Sequence, residues 1–487
     1  MPHDDATTSR MLSRRANRRQ MIANAGIATA ATMLPSGSTS ATSMARQDAA
    51  TLPANVGLAT SPRLPLWGIT GEAATRILDG SATTWADVGC PLSAPIRRVV
   101  VDGVDALGMT TEETVAGYEA LIIAMDQNPG IVAVLPLDRI DSRVTALRID
   151  GNEPFAGIAT DDDAVFHVGV VGDMIPGRNV NLHIRGYGDY LFPWRRVAPL
   201  LSGFDFTFGN FECVISDALA APEDSNPNAL DFVVGNAATD GLNLSGFDAL
   251  SLANNHSIYN NSGWGFQGFT DTIAALDNAG LPWYGAGMDL DRARAPHVAT
   301  VAGKTIALIG IDGVTANVDY PGIWAVPVNV GATASQPGTN PLIAQQVLND
   351  ISALAGQYDI VIPYFHMGEQ YRWALSDWAI ELSRACIDAG ATTVLTSHPH
   401  IVQGMEWYRN TPLFYGLGNF IYDQMFTIDT SQGHILDLTF RGSEIVGFRM
   451  HGVQIEDFVQ PRLLGPDEQA AFMDRIWRSH DRVGRNT

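Results

Sequence analysis

Lysine is the scarcest residue of this chain. Lys304 is its only lysine, and 30 basic residues face 52 acidic ones, giving a formal net charge of −22. A chain this acidic repels phosphate backbones, so nucleic-acid binding through a general electrostatic footprint is not expected. An anionic polymer is repelled overall as well, and has to be met by local cations. Cysteine is nearly absent. Cys90, Cys213 and Cys386 are far apart, odd in number and without metal-ligand spacing, so no disulfide framework is read from them. Long apolar runs are also missing. Beyond the N-terminal segment nothing approaches the ~18 apolar residues needed to span a bilayer, so the mature chain is expected to have no transmembrane segment.

What is present is material for real cores. The chain has 487 residues, 46% of them hydrophobic, which is enough for two or three domains and unlike a disordered chain. Its mean hydropathy of +0.03 agrees with that reading. The first 45 residues read as an export signal rather than fold. Arg14-Arg15 and Arg18-Arg19 precede a mildly apolar, Ala-rich stretch at 22–34, and Ser43-Met44-Ala45 supplies small residues for cleavage. Paired arginines before a weak apolar core indicate the twin-arginine route, which carries folded, often metal-loaded proteins. The expected location is therefore outside the cytoplasm: periplasmic, cell-surface or extracellular. Residues 46–59 read as a linker.

Residues 60–155 alternate helices and strands, which argues α/β. Helices are expected over 72–78 and 112–125, and strands over 97–101, 131–136 and 144–149. The segments "ILDGSATTWADVG", "QNPGIVAVLP" and "RVTALRIDGNEPF" resemble one lobe of a phosphate-type solute-binding protein. Such proteins close two lobes on a ligand, and one lobe alone has no hinge to close. The resemblance implies a remnant or docking module more than a receptor.

Residues 163–465 repeat one pattern, with 466–487 left as a C-terminal tail. Short β-rich runs at 165–171, 204–208, 247–252, 305–311, 358–365, 392–396 and 412–415 each end in a polar cluster. Helices are expected over 268–279, 341–355 and 377–389, each followed by a glycine stop. Apolar strands alternating with helices indicate sheets buried on both faces, whose ligands collect at the carboxyl ends of the strands. Those ends carry Asp173, Asn210, Glu212, Asn255, His256, His366, His398 and His400. Carboxylate, amide oxygen and imidazole suit hard or borderline divalent metals, and no thiol joins them. Any one of these residues alone is ordinary: an Asn-His turn, a solvated loop carboxylate. Compatible ligands at five separate strand ends point to metal binding. In His398-Pro399-His400 the proline restricts the backbone and can aim both rings into one site.

"VGDMIPGR", "FGNFE", "FDALSLANNH", "YDIVIPYFHMGEQY", "SHPHIVQGME" and "LFYGLGNFIYDQ" resemble, in order, the motifs of the CapA (PgsA-like) family. That family concerns capsule and poly-γ-glutamate synthesis and belongs to the metallophosphoesterase-like superfamily. The resemblance implies a four-layer α/β sandwich with a smaller N-terminal α/β domain. It implies one or two divalent ions (manganese, iron or zinc). His366, His398 and Asn255 would hold one ion, Asp173 and His400 the other, with Asn210 or Glu212 between them. His256 would protonate the leaving oxygen or steady the transition state. Arg178 would pair a phosphate or carboxylate. The chain departs from the wider superfamily twice: Ile175 stands where a histidine is usual, and Asn210 replaces a bridging aspartate. Both fit the CapA-type pattern. Two readings stay open. One is a metal-dependent hydrolase or transferase acting on an anionic envelope polymer or a phosphoester. The other is a non-catalytic accessory that binds polymer on the same fold.

Overall fold

A computed structural model describes residues 52–111, 113–219, 230–258, 265–320 and 330–483. The export signal expected over 1–45 lies outside these residues. Among the described residues no helix is long and apolar enough to cross a membrane.

The larger part of the chain is built on two sheets. In the first, Val165–Met174, Phe206–Phe211, Ala249–Ser251 and Trp283–Tyr284 run parallel. The antiparallel strands Gln432–Arg441, Glu444–Glu456 and Gln460–Leu463 extend it on the other side of Val165–Met174. In the second, Lys304–Asn317, Ile360–His366, Val394–Ser397 and Thr411–Phe414 run parallel, with His297–Val301 and Met405–Tyr408 antiparallel at the edges.

Successive side chains of a strand point to opposite faces, so a strand buried on both sides feeds two cores at once. Phe166, Val168 and Val170 meet Phe206, Ile306, Leu308, Ile360 and Ile362 in a core between the two sheets. Val171 and Met174 turn the other way, onto Val180 and Ile184 of helix Arg178–Tyr187 and Phe269 of helix Gly265–Ala279. On the far side Ala307, Ile309 and Ile311 pack against Val347 and Ile351 of helix Ala344–Ala355 and Ile380 of helix Asp377–Asp388. The order helix, sheet, sheet, helix gives the four-layer α/β sandwich.

The N-terminal part forms a smaller sheet in the order Glu113–Val115, Arg97–Val101, Ile131–Pro136, Val56–Thr60, Thr145–Ala146. It meets the larger part through a polar cluster. His167 lies 2.8 Å from Asp437 and 3.3 Å from Glu153, which also pairs with Arg148 at 2.8 Å.

Three expectations need correction. The linker read over 46–59 runs too far, because Val56–Thr60 is a strand paired with both Ile131–Pro136 and Thr145–Ala146. The tail read from 466 is helix Pro466–Val483, which buries Phe472, Met473, Ile476 and Trp477 in the core between the sheets. The single helix read over 112–125 is strand Glu113–Val115 followed by helix Tyr118–Gln127, divided at Gly117, whose φ of 143° a side chain resists.

Candidate metal centre

The parallel strands of both sheets end at one rim. Asp173 of Val165–Met174 is in register with Asn210 of Phe206–Phe211, and Glu212 follows directly. Asn254, Asn255 and His256 lie in the loop after Ala249–Ser251. His366 closes strand Ile360–His366 opposite Ser397, and His398 and His400 come next. The backbone is held tightly here. His398, His400 and Arg178 adopt φ of 97°, 58° and 52°, values that cost a residue with a β-carbon about 1–3 kcal/mol and persist only where the surroundings impose them. At Gly172 a β-carbon would lie 2.1 Å from the carbonyl oxygen of Gly418. The absence of a side chain lets that carbonyl accept from Asp173 N at 3.0 Å, which fixes the next residue's carboxylate at the rim.

The side chains converge. His366 Nε2 lies 2.7 Å from Asn255 Oδ1, 3.2 Å from His398 Nδ1 and 3.3 Å from Glu212 Oε1. His400 Nδ1 lies 3.1 Å from Asp173 Oδ2. One ligand atom each from Glu212, His366 and His398 falls within a 4.8 Å span, and so does one each from Asp173, Glu212 and His400. Glu212 is common to both groups. All of these side chains are buried.

The residues fit a divalent ion on grounds of their own. Glu212 Oε1 is buried without a hydrogen bond. Burial, joined by the charge of Asp173, raises the Glu212 carboxyl, while His366 opposes that rise. Burial works against a charge on His366, yet Glu212 and Asp173 outweigh it and raise its pKa. Burial also opposes ionisation of Asp173, but His400, His366 and Asn210 hold it below the ordinary carboxylate range. Burial and the charges of His366 and His400 hold His398 neutral. Two carboxylates and several imidazoles this close form a donor set compatible with a divalent ion.

Around this cluster stand residues whose work is to hold it. Asn210 turns Nδ2 toward Asp173 at 2.8 Å and Glu212 at 3.3 Å, while its Oδ1 accepts from Asn254 at 3.0 Å. The amide thus faces the carboxylates with its donor, and the expected ligand oxygen points away from them. Asn254 also donates to Phe211 O and accepts from His256 N, Ser257 N and Ser257 Oγ. Asn419 Oδ1 lies 2.9 Å from His400 Nδ1. Asn254 and Asn419 stand in strand-end clusters of the sequence but were not selected from it. Asn254 adjoins Asn255, and Asn419 ends the polar cluster that follows the run at 412–415; those positions were the available signals.

His256 Nε2 lies 3.9 Å from Glu212 Oε1, and burial first, then the charges of His366, His400 and Arg178, keep it neutral. Arg178 is close by but already occupied: its Nε donates to Asp423 Oδ2 at 2.8 Å, and its guanidinium lies 5.2 Å from the rings of both Phe232 and Tyr422. The carboxylate it pairs with is therefore the chain's own Asp423, a partner the sequence did not suggest. His256, His400, Arg178 and Asp423 line a cavity of about 670 Å³ that opens from the cluster.

The family model for "Bacterial capsule synthesis protein PGA_cap" matches residues 167–424. Capsule biosynthesis protein CapA of Bacillus anthracis is 30% identical over 311 residues, covering 62% of this chain and 70% of that one. PGA biosynthesis protein CapA of Bacillus subtilis (strain 168) is 29% identical over 272 residues, covering 55% and 67%. Among solved structures, the calcineurin-like phosphoesterase YfkN from Bacillus subtilis aligns over 66% of this chain and 98% of its own, with a TM-score of 0.37 and 14% identity.

Proposed function

The chain belongs to the bacterial capsule synthesis protein family, PGA_cap, and from that premise we propose that it is an exported, metal-dependent hydrolase or transferase acting on a phosphoester or amide bond of a capsule-type polymer. The observation that carries this reading is the fully buried Glu212, common to two groups of metal-ligating atoms. Glu212, His366 and His398, with the amide oxygen of Asn255 beside them, would hold one ion, and Asp173, Glu212 and His400 would hold a second. Manganese, iron and zinc all suit this mixture of oxygen and nitrogen donors. A bound divalent ion supplies Lewis-acid polarisation of a phosphoryl or carbonyl oxygen.

The chain's own residues do the rest. Asn210 clamps Asp173 and Glu212 in place. Asn419, 2.9 Å from His400 Nδ1, steadies that ring at the cavity wall. His256, held neutral, offers an N–H to the leaving oxygen at the cavity side of the cluster. Arg178, tied to Asp423, shapes the cavity wall and keeps the Asp423 charge off the reacting group. The smaller N-terminal part serves as a docking module, since it is fixed to the sandwich by ion pairs and forms one lobe only.

The alternative, a non-catalytic polymer-binding accessory, has one observation in its favour. Ile175 is fully buried in the core, so the position that the wider superfamily gives to a histidine is plain packing here. Turnover separates the two. Manganese-loaded protein is expected to hydrolyse bis(4-nitrophenyl) phosphate, and Glu212→Gln to lower the rate at least ~100-fold, in line with the loss of a ligand-shell carboxylate. Full metal occupancy with no turnover for this ester or for a γ-glutamyl amide would favour the accessory.

A further inference from the structure

The cavity beside the metal cluster has an unusual wall. Its charged side chains among the described residues are Arg178 and Asp423, and these two pair with each other. The remaining polar side chains away from the cluster are neutral amides such as Gln370 and Gln424. The mouth is aromatic: Tyr371, Phe426 and Phe458 line it, and they are 44%, 63% and 41% exposed. Tyr371 and Phe426 stand edge to face at 5.4 Å, and Phe458 lies flat on His183 at 5.8 Å. Tyr371 is further held by Gln424, which donates to its hydroxyl at 2.7 Å.

Exposed phenylalanines are costly in water, and a cluster of them at the rim of a ligand cavity marks a contact surface. Among the described residues the guanidinium on this wall is already matched by Asp423. The cavity, at about 670 Å³, is also far larger than a phosphate or a single carboxylate needs.

We propose that Tyr371, Phe426 and Phe458 form a subsite for the uncharged, flat or apolar part of the substrate, so that the ionic reacting group enters the metal cluster while the leaving group stacks on the rim. This deepens the proposed function and rests on it, because the subsite is continuous with the cluster through His256 and His400. The substrate class it selects is an ester or amide with an apolar-faced leaving group.

Phenylphosphonate and methylphosphonate share the ionic group and differ only in the apolar part. Calorimetry on the full chain first reads manganese uptake and then the affinity for each phosphonate. Wild type is expected to bind phenylphosphonate about tenfold more tightly, the gain from burying one ring face. Phe426→Ala/Phe458→Ala, both at exposed positions, is expected to reduce that ratio to near one without changing the methylphosphonate affinity. Protein that binds manganese but holds both phosphonates equally, or keeps the tenfold ratio in the double variant, overturns the subsite and leaves the proposed function standing. Protein that takes up no manganese overturns both.

Discussion

Asn254 shows how much of the site depends on residues that touch no substrate. Its amide is fully buried and makes five hydrogen bonds, tying Asn210 to the Asn255-His256 turn. Removing it leaves buried backbone donors and the oxygen of Asn210 unsatisfied, and each such group costs about 1–3 kcal/mol. Asn254→Ala is therefore expected to destabilise the protein by about 3 kcal/mol in denaturant unfolding, and to weaken metal uptake because the Asn210 clamp loses its anchor. A variant with unchanged stability would mean that water takes over the amide's bonds. At this scale the sequence was readable for residues whose chemistry is conspicuous. The histidines and acids at 173, 212, 256, 366, 398 and 400 all meet at one rim. It was not readable for Asn254, Asn419 and Asp423, since a neutral amide, or one more carboxylate in an acidic chain, announces its partner only in three dimensions. Asn210 illustrates the same limit: its position was legible, but which end of its amide faces the carboxylates was not.

Elements follow the same division. The parallel strands were legible because burial on both faces makes them near-continuous apolar runs bounded by polar clusters, and helices Gly265–Ala279 and Asp377–Asp388 because glycine follows each closely. The antiparallel extension from Gln432–Arg441 to Gln460–Leu463 escaped notice, since His434, Asp437, Arg449 and Gln454 interrupt the apolar pattern. Helix Pro466–Val483 is so rich in charge that its narrow apolar stripe reads as a tail. One strand that was found carries a testable electrostatic device. His167, on Val165–Met174, faces Asp437, Glu153 and the guanidinium of Arg148, with Arg449 and His451 around Asp437. Burial opposes its charge, but Asp437 and Glu153 raise its pKa to about 9 from 6.5. Burial likewise opposes the charge on Glu153, yet His167, Arg449 and Arg148 lower its pKa to about 2 from 4.5. The raised histidine adds stability that is complete below pH 6.5 and lost as pH rises through about 9. The lowered glutamate adds stability that is complete above pH 4.5 and lost as pH falls through about 2. His167→Gln is thus expected to cost about 2 kcal/mol in thermal or denaturant unfolding at pH 6 and much less at pH 10. An equal cost at both pH values would show that packing, and not the ion pairs, holds the two parts together.

At the scale of the whole molecule, an acidic chain with one lysine folds a four-layer sandwich whose parallel strand ends bring carboxylates and imidazoles into one buried cluster. The family accounts for the fold and the capsule connection, and the cluster accounts for the chemistry proposed here. Burying this many ionisable groups is unfavourable unless a cation is shared among them. The central claim is therefore that the folded protein is built around divalent metal. The most direct test is elemental analysis of the purified full chain, wild type beside His398→Ala/His400→Ala. Each residue replaced belongs to one of the two ligand groups, so both groups are broken at once. The account expects stoichiometric manganese, iron or zinc in the wild type and its loss in a variant that still folds. Equal metal content in the two proteins, or none in the wild type after incubation with each ion, would contradict it.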